Sequence, residues 1–414
     1  MLLSPQALIG LFRLRHHLER CTNEDEGVLQ GHGRPQGKLA GLLSVLKESH
    51  MSVEARVVVV PQNAGPLGIH TVRLPSPGPH QVLIKQFASG ICHSQLHTMH
   101  RARNGPEVLG HESTGEVLEL GDEVSHLAIG DRVMVTWVPR QISPGDRVPE
   151  AARVQLADGQ VATSSNVFTW ADHTLADERY VVKVPSTIEP LVTSIIGCAV
   201  MTGAGAVENT ANVQAGDSVA IFGVGGVGLS AVVAARARGA NPLIAIDLDD
   251  EKLAFAKQFG ATHVINAAKE DPVAAIKALT TKTDRHTIRR ETVAGADFVF
   301  DCIGIRKTME QIVPAARTGF FGAEPGGTAV LVGVPTTPVE LDPIDLLMNE
   351  KRFVGSIGGS CSPDQDFPRY IKWYEEGTLD LNAMVTARYA LDDINEATRA
   401  LTAGEIQGRA ILVF

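Results

Sequence analysis

Val219-Ala220-Ile221-Phe222, then Gly223-Val224-Gly225-Gly226-Val227-Gly228, then an apolar stretch over residues 229–238, is the passage that decides the fold. Four apolar residues bounded by glycine read as a buried strand, and the longer stretch beyond them as a helix. Between the two, the first glycine permits a tight turn, the second lets the backbone approach a pyrophosphate, and the third lets helix and strand pack closely. The helix N-terminus then faces the phosphates. Glycine turns are common, so the pattern gains its weight from lying between strand and helix.

Further along the chain, the next strand ends at Asp247, nineteen residues past Gly228. A carboxylate there accepts hydrogen bonds from an adenosine ribose and repels a 2′-phosphate. NAD is therefore expected over NADP, with Asp247 as the discriminator and Lys252 as a further ribose contact. Apolar runs at 218–222, 243–246, 263–265, 298–301 and 328–332 alternate with helical segments, the rhythm of a doubly wound parallel sheet. Val332, closing the last run, joins the expected cofactor contacts. Asp249 is placed to cap a helix over 250–259 that Gly260 closes. Before this region the texture differs. Residues 51–135 form short alternating or β-branched runs punctuated by Pro75, Pro77, Gly78 and Pro79, which predicts an antiparallel β unit. Residues 139–176 lose periodicity and read as a long surface loop or lobe.

Composition limits the partners. A chain of 414 residues with 44% hydrophobic and 20% charged residues suits two globular domains. Its net charge of −10 argues against nucleic acid or an anionic membrane as partner. No stretch reads as the roughly 18 apolar residues that a membrane span needs. Five widely spaced cysteines (Cys21, Cys92, Cys198, Cys302, Cys361) favour a reducing, cytoplasmic compartment. Residues 1–50 read as an appendage: a targeting peptide, or, the preferred reading, a disordered extension ahead of a start at Met51.

Three further fragments stand out. Ser89-Gly90-Ile91-Cys92-His93-Ser94 is followed by Gly110-His111-Glu112, with His111 nineteen residues after Cys92, and later by Gly197-Cys198. Singly, each cysteine or histidine reads as a core residue. Together with the glycine motif they make residues 51–414 resemble the zinc-containing alcohol dehydrogenases of the medium-chain dehydrogenase/reductase superfamily. The resemblance implies a GroES-like β-rich catalytic domain (51–199 and 358–414) around a Rossmann domain (200–357). It also implies one catalytic zinc on Cys92, His111 and Cys198. Two thiolates and an imidazole suit tetrahedral zinc with an open fourth position, where it acts as a Lewis acid on an alcohol oxygen while hydride passes to the nicotinamide.

By the same resemblance, Ser94 and His97 are the proton relay, and Glu112 joins them beside the metal. His93, Thr202 and Arg409 touch the cofactor, and Trp137 walls the substrate pocket. A homodimer or homotetramer is implied across the cofactor sheet edge near Phe353. The chain also departs from the family. Residues 139–176 lack the four cysteines of a structural zinc, so that lobe is expected to hold by packing alone. Gln95 replaces an aspartate that orients the ligand histidine; it is expected still to accept a hydrogen bond, to leave the metal more electrophilic, and to hold it less firmly. Gln95→Asp should accordingly raise the kinetic pKa of alcohol oxidation. The loop from His97 to His111 is short, which implies an altered pocket mouth. Segments 282–293 and 318–324 are long, the first read as a solvated surface loop. Two alternatives to an alcohol dehydrogenase are a zinc-free quinone or enoyl reductase, which the Cys, His, Cys set and Asp247 oppose, and a catalytically silent dinucleotide-binding sensor.

Overall fold

The computed structural model describes residues 52–63, 65–287, 290–320 and 322–414. The appendage 1–50, with Cys21, lies outside them, as do Arg289 of the first long segment and Phe321 of the second.

The glycine-motif strand Val219–Phe222 lies fully buried at the centre of a six-stranded sheet. Leu243–Asp247 and then His263–Asn266 follow on one side. On the other come Phe298–Asp301, Thr328–Leu331 and Arg352–Gly355, every pair parallel. The chain thus winds outward from Val219–Phe222 in both directions, leaving a crevice at the carboxyl ends of the central strands where the direction switches. Asp249 caps the helix Asp250–Phe259 by accepting from the Glu251 and Lys252 N–H groups, and Gly260 ends it at φ 117°. The edge strand Arg352–Gly355 has a charge at one end and glycine at the other, and is only partly buried.

The β-rich part is organised by the strand Gln81–Gly90. It pairs antiparallel with Ser113–Leu120, His173–Asp177 and the C-terminal strand Arg409–Val413. The pair Ile411↔Gly90 brings the end of the chain beside the Cys92 turn. A second, five-stranded sheet holds Val53–Val60 against Gly68–Leu74.

Three expectations are corrected. Pro190–Thr210 is one helical run long and apolar enough to cross a membrane by length and composition, yet most of it is buried in the fold as a core element. Residues 139–176 are held by more than packing. They contain the antiparallel pair Arg153–Gln155 and Val161–Thr163, and Arg140 and Arg147 tie them down through ion pairs to Asp364 (2.7 Å) and Asp177 (2.5 Å). The first long segment is not a bare loop: Lys282–His286, mostly exposed, pairs with Thr292–Val293, where Val293 is buried, and Arg285 bridges to Glu324 at 2.7 Å.

Candidate active site

Cys92 lies one residue beyond the strand Gln81–Gly90, at the N-cap of the helix His93–His100. His111 precedes the strand Ser113–Leu120. Cys198 lies in a π-helical turn, Ile196–Val200, within the long core helix; the wider turn displaces side chains from regular α-helical spacing. Gly197 is needed there, because a Cβ would sit 2.8 Å from the Val135 carbonyl oxygen. These three elements bring the donor atoms of Cys92, His111, Glu112 and Cys198 within 4.8 Å of one another, all buried. The two Sγ atoms are 3.8 Å apart, and His111 Nε2 lies 3.2 Å from Cys198 Sγ. Two thiols and an imidazole, closely grouped and buried, fit a tetrahedral zinc ion with one open position, and the Glu112 carboxylate lies beside them.

Burial opposes thiolate charge, yet the hydrogen bond from Cys198, with the Arg409 and His111 charges, holds the Cys92 thiol well below its usual range. Cys198 is pushed up by that same hydrogen bond and by burial. Arg409 balances the cluster. Its guanidinium, almost wholly buried, donates to Glu112 Oε1, while Glu112 Oε2 accepts from the Ala199 N–H at 3.3 Å. Burial raises the Glu112 carboxyl, with the Arg409 charge opposing it.

A cleft of about 1110 Å³ opens onto this cluster. It is lined by Cys92, His93, Ser94, His97, His111, Trp137, Cys198 and Thr202, and also by Gly223, Gly225, Gly226, Val227, Gly228, Asp247, Lys252, Val332 and Arg409. Every expected site residue except Glu112 is therefore on one surface. Glu112 does not line the cleft; its carboxylate is spent on Arg409 and a backbone N–H, so it positions rather than touches a reactant.

Ser94 Oγ donates to Cys92 Sγ at 3.2 Å in the first helical turn. His97 is exposed, its ring 5.8 Å from that of His93 in edge contact. Burial, and next the His97 charge, lower the His93 pKa. Trp137 sets its ring edge-on to His111 at 6.4 Å. Its indole lies against Gly358, where a Cβ would come 3.2 Å from the ring. Thr202 Oγ1 and Arg409 Nε are buried without a partner. Asp247 accepts from the Val224 N–H at 3.0 Å and the Leu248 N–H at 2.8 Å, which ties the glycine loop to the next strand.

Gln95 accepts a hydrogen bond as expected, but from the backbone. The Gly110 N–H donates to Gln95 Oε1 at 2.8 Å, so the amide nitrogen faces His111 Nδ1, at 2.6 Å. Sequence reasoning also missed Arg101, Glu107, Ser164 and Asn166 as polar lining of the cleft, and Val334 and Ile357 as exposed aliphatic lining. Only the shortened loop between His97 and His111 pointed toward that region.

A glycine loop at a sheet's switch point, sharing one cleft with a buried Cys, His, Cys cluster, defines a zinc-type dinucleotide oxidoreductase. Residues 78–186 match the alcohol dehydrogenase GroES-like domain and residues 226–376 the zinc-binding dehydrogenase family. The chain is 30% identical over 389 residues to alcohol dehydrogenase class-3 of Cereibacter sphaeroides, covering 87% of this chain and 100% of that one. Benzyl alcohol dehydrogenase from Acinetobacter calcoaceticus shares the fold with TM-score 0.73 at 29% identity, over 87% of this chain and 99% of the other. A Sinorhizobium meliloti dehydrogenase structure with NADP bound gives TM-score 0.69 at 26% identity, over 87% and 100%. The chain belongs to the zinc-containing alcohol dehydrogenase family of the medium-chain dehydrogenases/reductases.

Proposed function

We propose that this protein interconverts an alcohol with its aldehyde or ketone at one zinc held by Cys92, His111 and Cys198, using NAD in the glycine-loop arm of the cleft. The observation that carries the reading is that this cluster and the loop Gly223–Gly228 face the same cleft. When bound, zinc supplies Lewis acidity toward the substrate oxygen and the nicotinamide accepts hydride. The chain's residues supply the rest. Ser94 Oγ, beside Cys92, would accept the substrate hydroxyl's proton as it gives up its own toward exposed His97, three residues on along the same helix, which would pass it to solvent. Trp137 limits substrate width beside His111. Arg409 keeps positive charge behind the cluster and offers a free Nε–H near Gly226, where a pyrophosphate would lie.

NAD is preferred to NADP on the strength of Asp247, whose carboxylate ends the second strand at the cleft. The catalytic domain is 51–199 with 358–414, and the dinucleotide domain 200–357. The assembly is a homo-oligomer built across the edge strand Arg352–Gly355, beside the helix Pro343–Met348 that exposes Ile344 and Leu347. The five dispersed cysteines support a cytoplasmic setting. Elemental analysis for zinc, run beside NAD reduction with aliphatic, aromatic and polyol alcohols, tests the reading. Zinc without turnover on any alcohol would replace it with a silent dinucleotide binder.

A further inference from the structure

Around the metal cluster, the hydrogen-bond polarity at Gln95 runs against metal binding. The side chain is buried between the Gly110 backbone and the His111 ring. Gly110 is buried too, and its N–H donates to Gln95 Oε1 at 2.8 Å. With the oxygen so committed, the amide nitrogen, which only donates, faces His111 Nδ1 at 2.6 Å. With Nδ1 accepting from that amide, the neutral ring would carry its hydrogen on Nε2, 3.2 Å from Cys198 Sγ. A histidine that gives Nε2 to a metal carries its hydrogen on Nδ1 and needs an acceptor there. Here that hydrogen would meet an N–H. If the amide turns over instead, the Gly110 N–H meets one. Either arrangement leaves one buried donor without its acceptor.

We infer that Gln95 is a positioning residue that makes the zinc of this enzyme exchangeable, because loading costs a buried hydrogen bond that an acceptor-only side chain would keep. This rests on zinc at Cys92, His111 and Cys198. It also separates Gln95 from a neutral spacer: an acceptor on both sides should tighten the site, whereas a spacer could be exchanged without effect.

The test is stopped-flow transfer of zinc from the loaded full-length protein to a chromophoric chelator, with folding checked by circular dichroism. Gln95→Glu, with two accepting oxygens on the same stem, should slow zinc release by about 10- to 100-fold, and Gln95→Asp should slow it less. Release at or above the wild-type rate from folded Gln95→Glu overturns the inference. Nitrogen-15 NMR of histidine in the metal-free wild type gives a check that needs no variant. A hydrogen on His111 Nε2 is expected, and a hydrogen on Nδ1 overturns the inference. A protein that takes up no zinc overturns the proposed metal site as well, whereas bound zinc whose release ignores residue 95 removes only the role of Gln95.

Discussion

Two glycines in the same loop should fail in different ways when given a methyl group. At Gly228 an added Cβ would lie 1.8 Å from the Gly223 carbonyl oxygen, more than an ångström inside the 3.0 Å that real contacts keep. Neither partner can yield easily. Gly223 holds φ 83° at the end of a buried strand, and Gly228 is in the first turn of a buried helix. Such overpacking costs about 1 to 3 kcal/mol, of which replacing glycine in a helix returns roughly 1. Gly228→Ala should therefore lose up to about 2 kcal/mol of stability before any cofactor is added. At Gly225 the same methyl meets nothing within 4 Å, and φ is −72°. Gly225→Ala should leave stability unchanged or raise it by about 0.4 to 1 kcal/mol through the unfolded chain. Its methyl instead occupies the face that a pyrophosphate must approach, so the NADH dissociation constant should rise at least about tenfold, roughly 1.4 kcal/mol. Urea unfolding of the cofactor-free variants, paired with NADH titration by fluorescence, separates the two effects. Wild-type NADH affinity in Gly225→Ala, or equal destabilisation in both variants, would refute the placement of the cofactor over this loop.

Asp247→Ser should shift the ratio of kcat/KM for NADP over NAD upward by about tenfold or more by removing the charge that repels a 2′-phosphate; an unchanged ratio would remove Asp247 as discriminator. His126 is held below its ordinary pKa, first by burial and then by the Arg140 charge. The folded state consequently binds fewer protons than the unfolded state as pH falls below about 6.5, and stability drops with falling pH by up to about 1.4 kcal/mol per pH unit for this group. His126→Gln should flatten that slope between pH 7 and 5 in urea unfolding, and an identical slope would exclude the histidine as its source. Arg147→Ala strips the main partner from Asp177, whose side chain is fully buried and also accepts from the Glu150 N–H at 2.8 Å. The segment around residues 140–150 should then be cut several-fold faster by trypsin while the dinucleotide half keeps its protection; unchanged cutting would mean that packing alone holds the lobe.

What could be read from the sequence, and what could not, follows from how far apart in the chain the determining atoms lie. The glycine loop was legible because strand, turn and helix are contiguous over Val219–Phe222 and Gly226–Ala237, so each residue's role is settled by its immediate neighbours. The helix Asp250–Phe259 was legible for the same reason, its cap and its stop both adjoining it. The edge strand Arg352–Gly355 was placed only by the family resemblance, near Phe353, because a half-buried strand ending in charge and glycine carries no alternation to detect. Cys92, His111 and Cys198 could be named only as a set matching a family, since nothing local distinguishes a ligand cysteine from a core one. Their meeting depends on a π-helical turn and on the ends of two strands. Glu112 shows the limit more sharply. It adjoins the proposed ligand His111 in sequence, yet the C-terminal strand, returning to pair at Gly90, delivers Arg409 to claim its carboxylate and take it off the cleft. Gln95 is the extreme case. The substitution itself was visible, but whether its amide accepts from or donates to His111 is decided by the Gly110 N–H, a backbone group that no side-chain pattern reports. The chemistry of this centre is thus set by residue types that a sequence displays, and its tuning by hydrogen-bond directions that only the folded chain fixes.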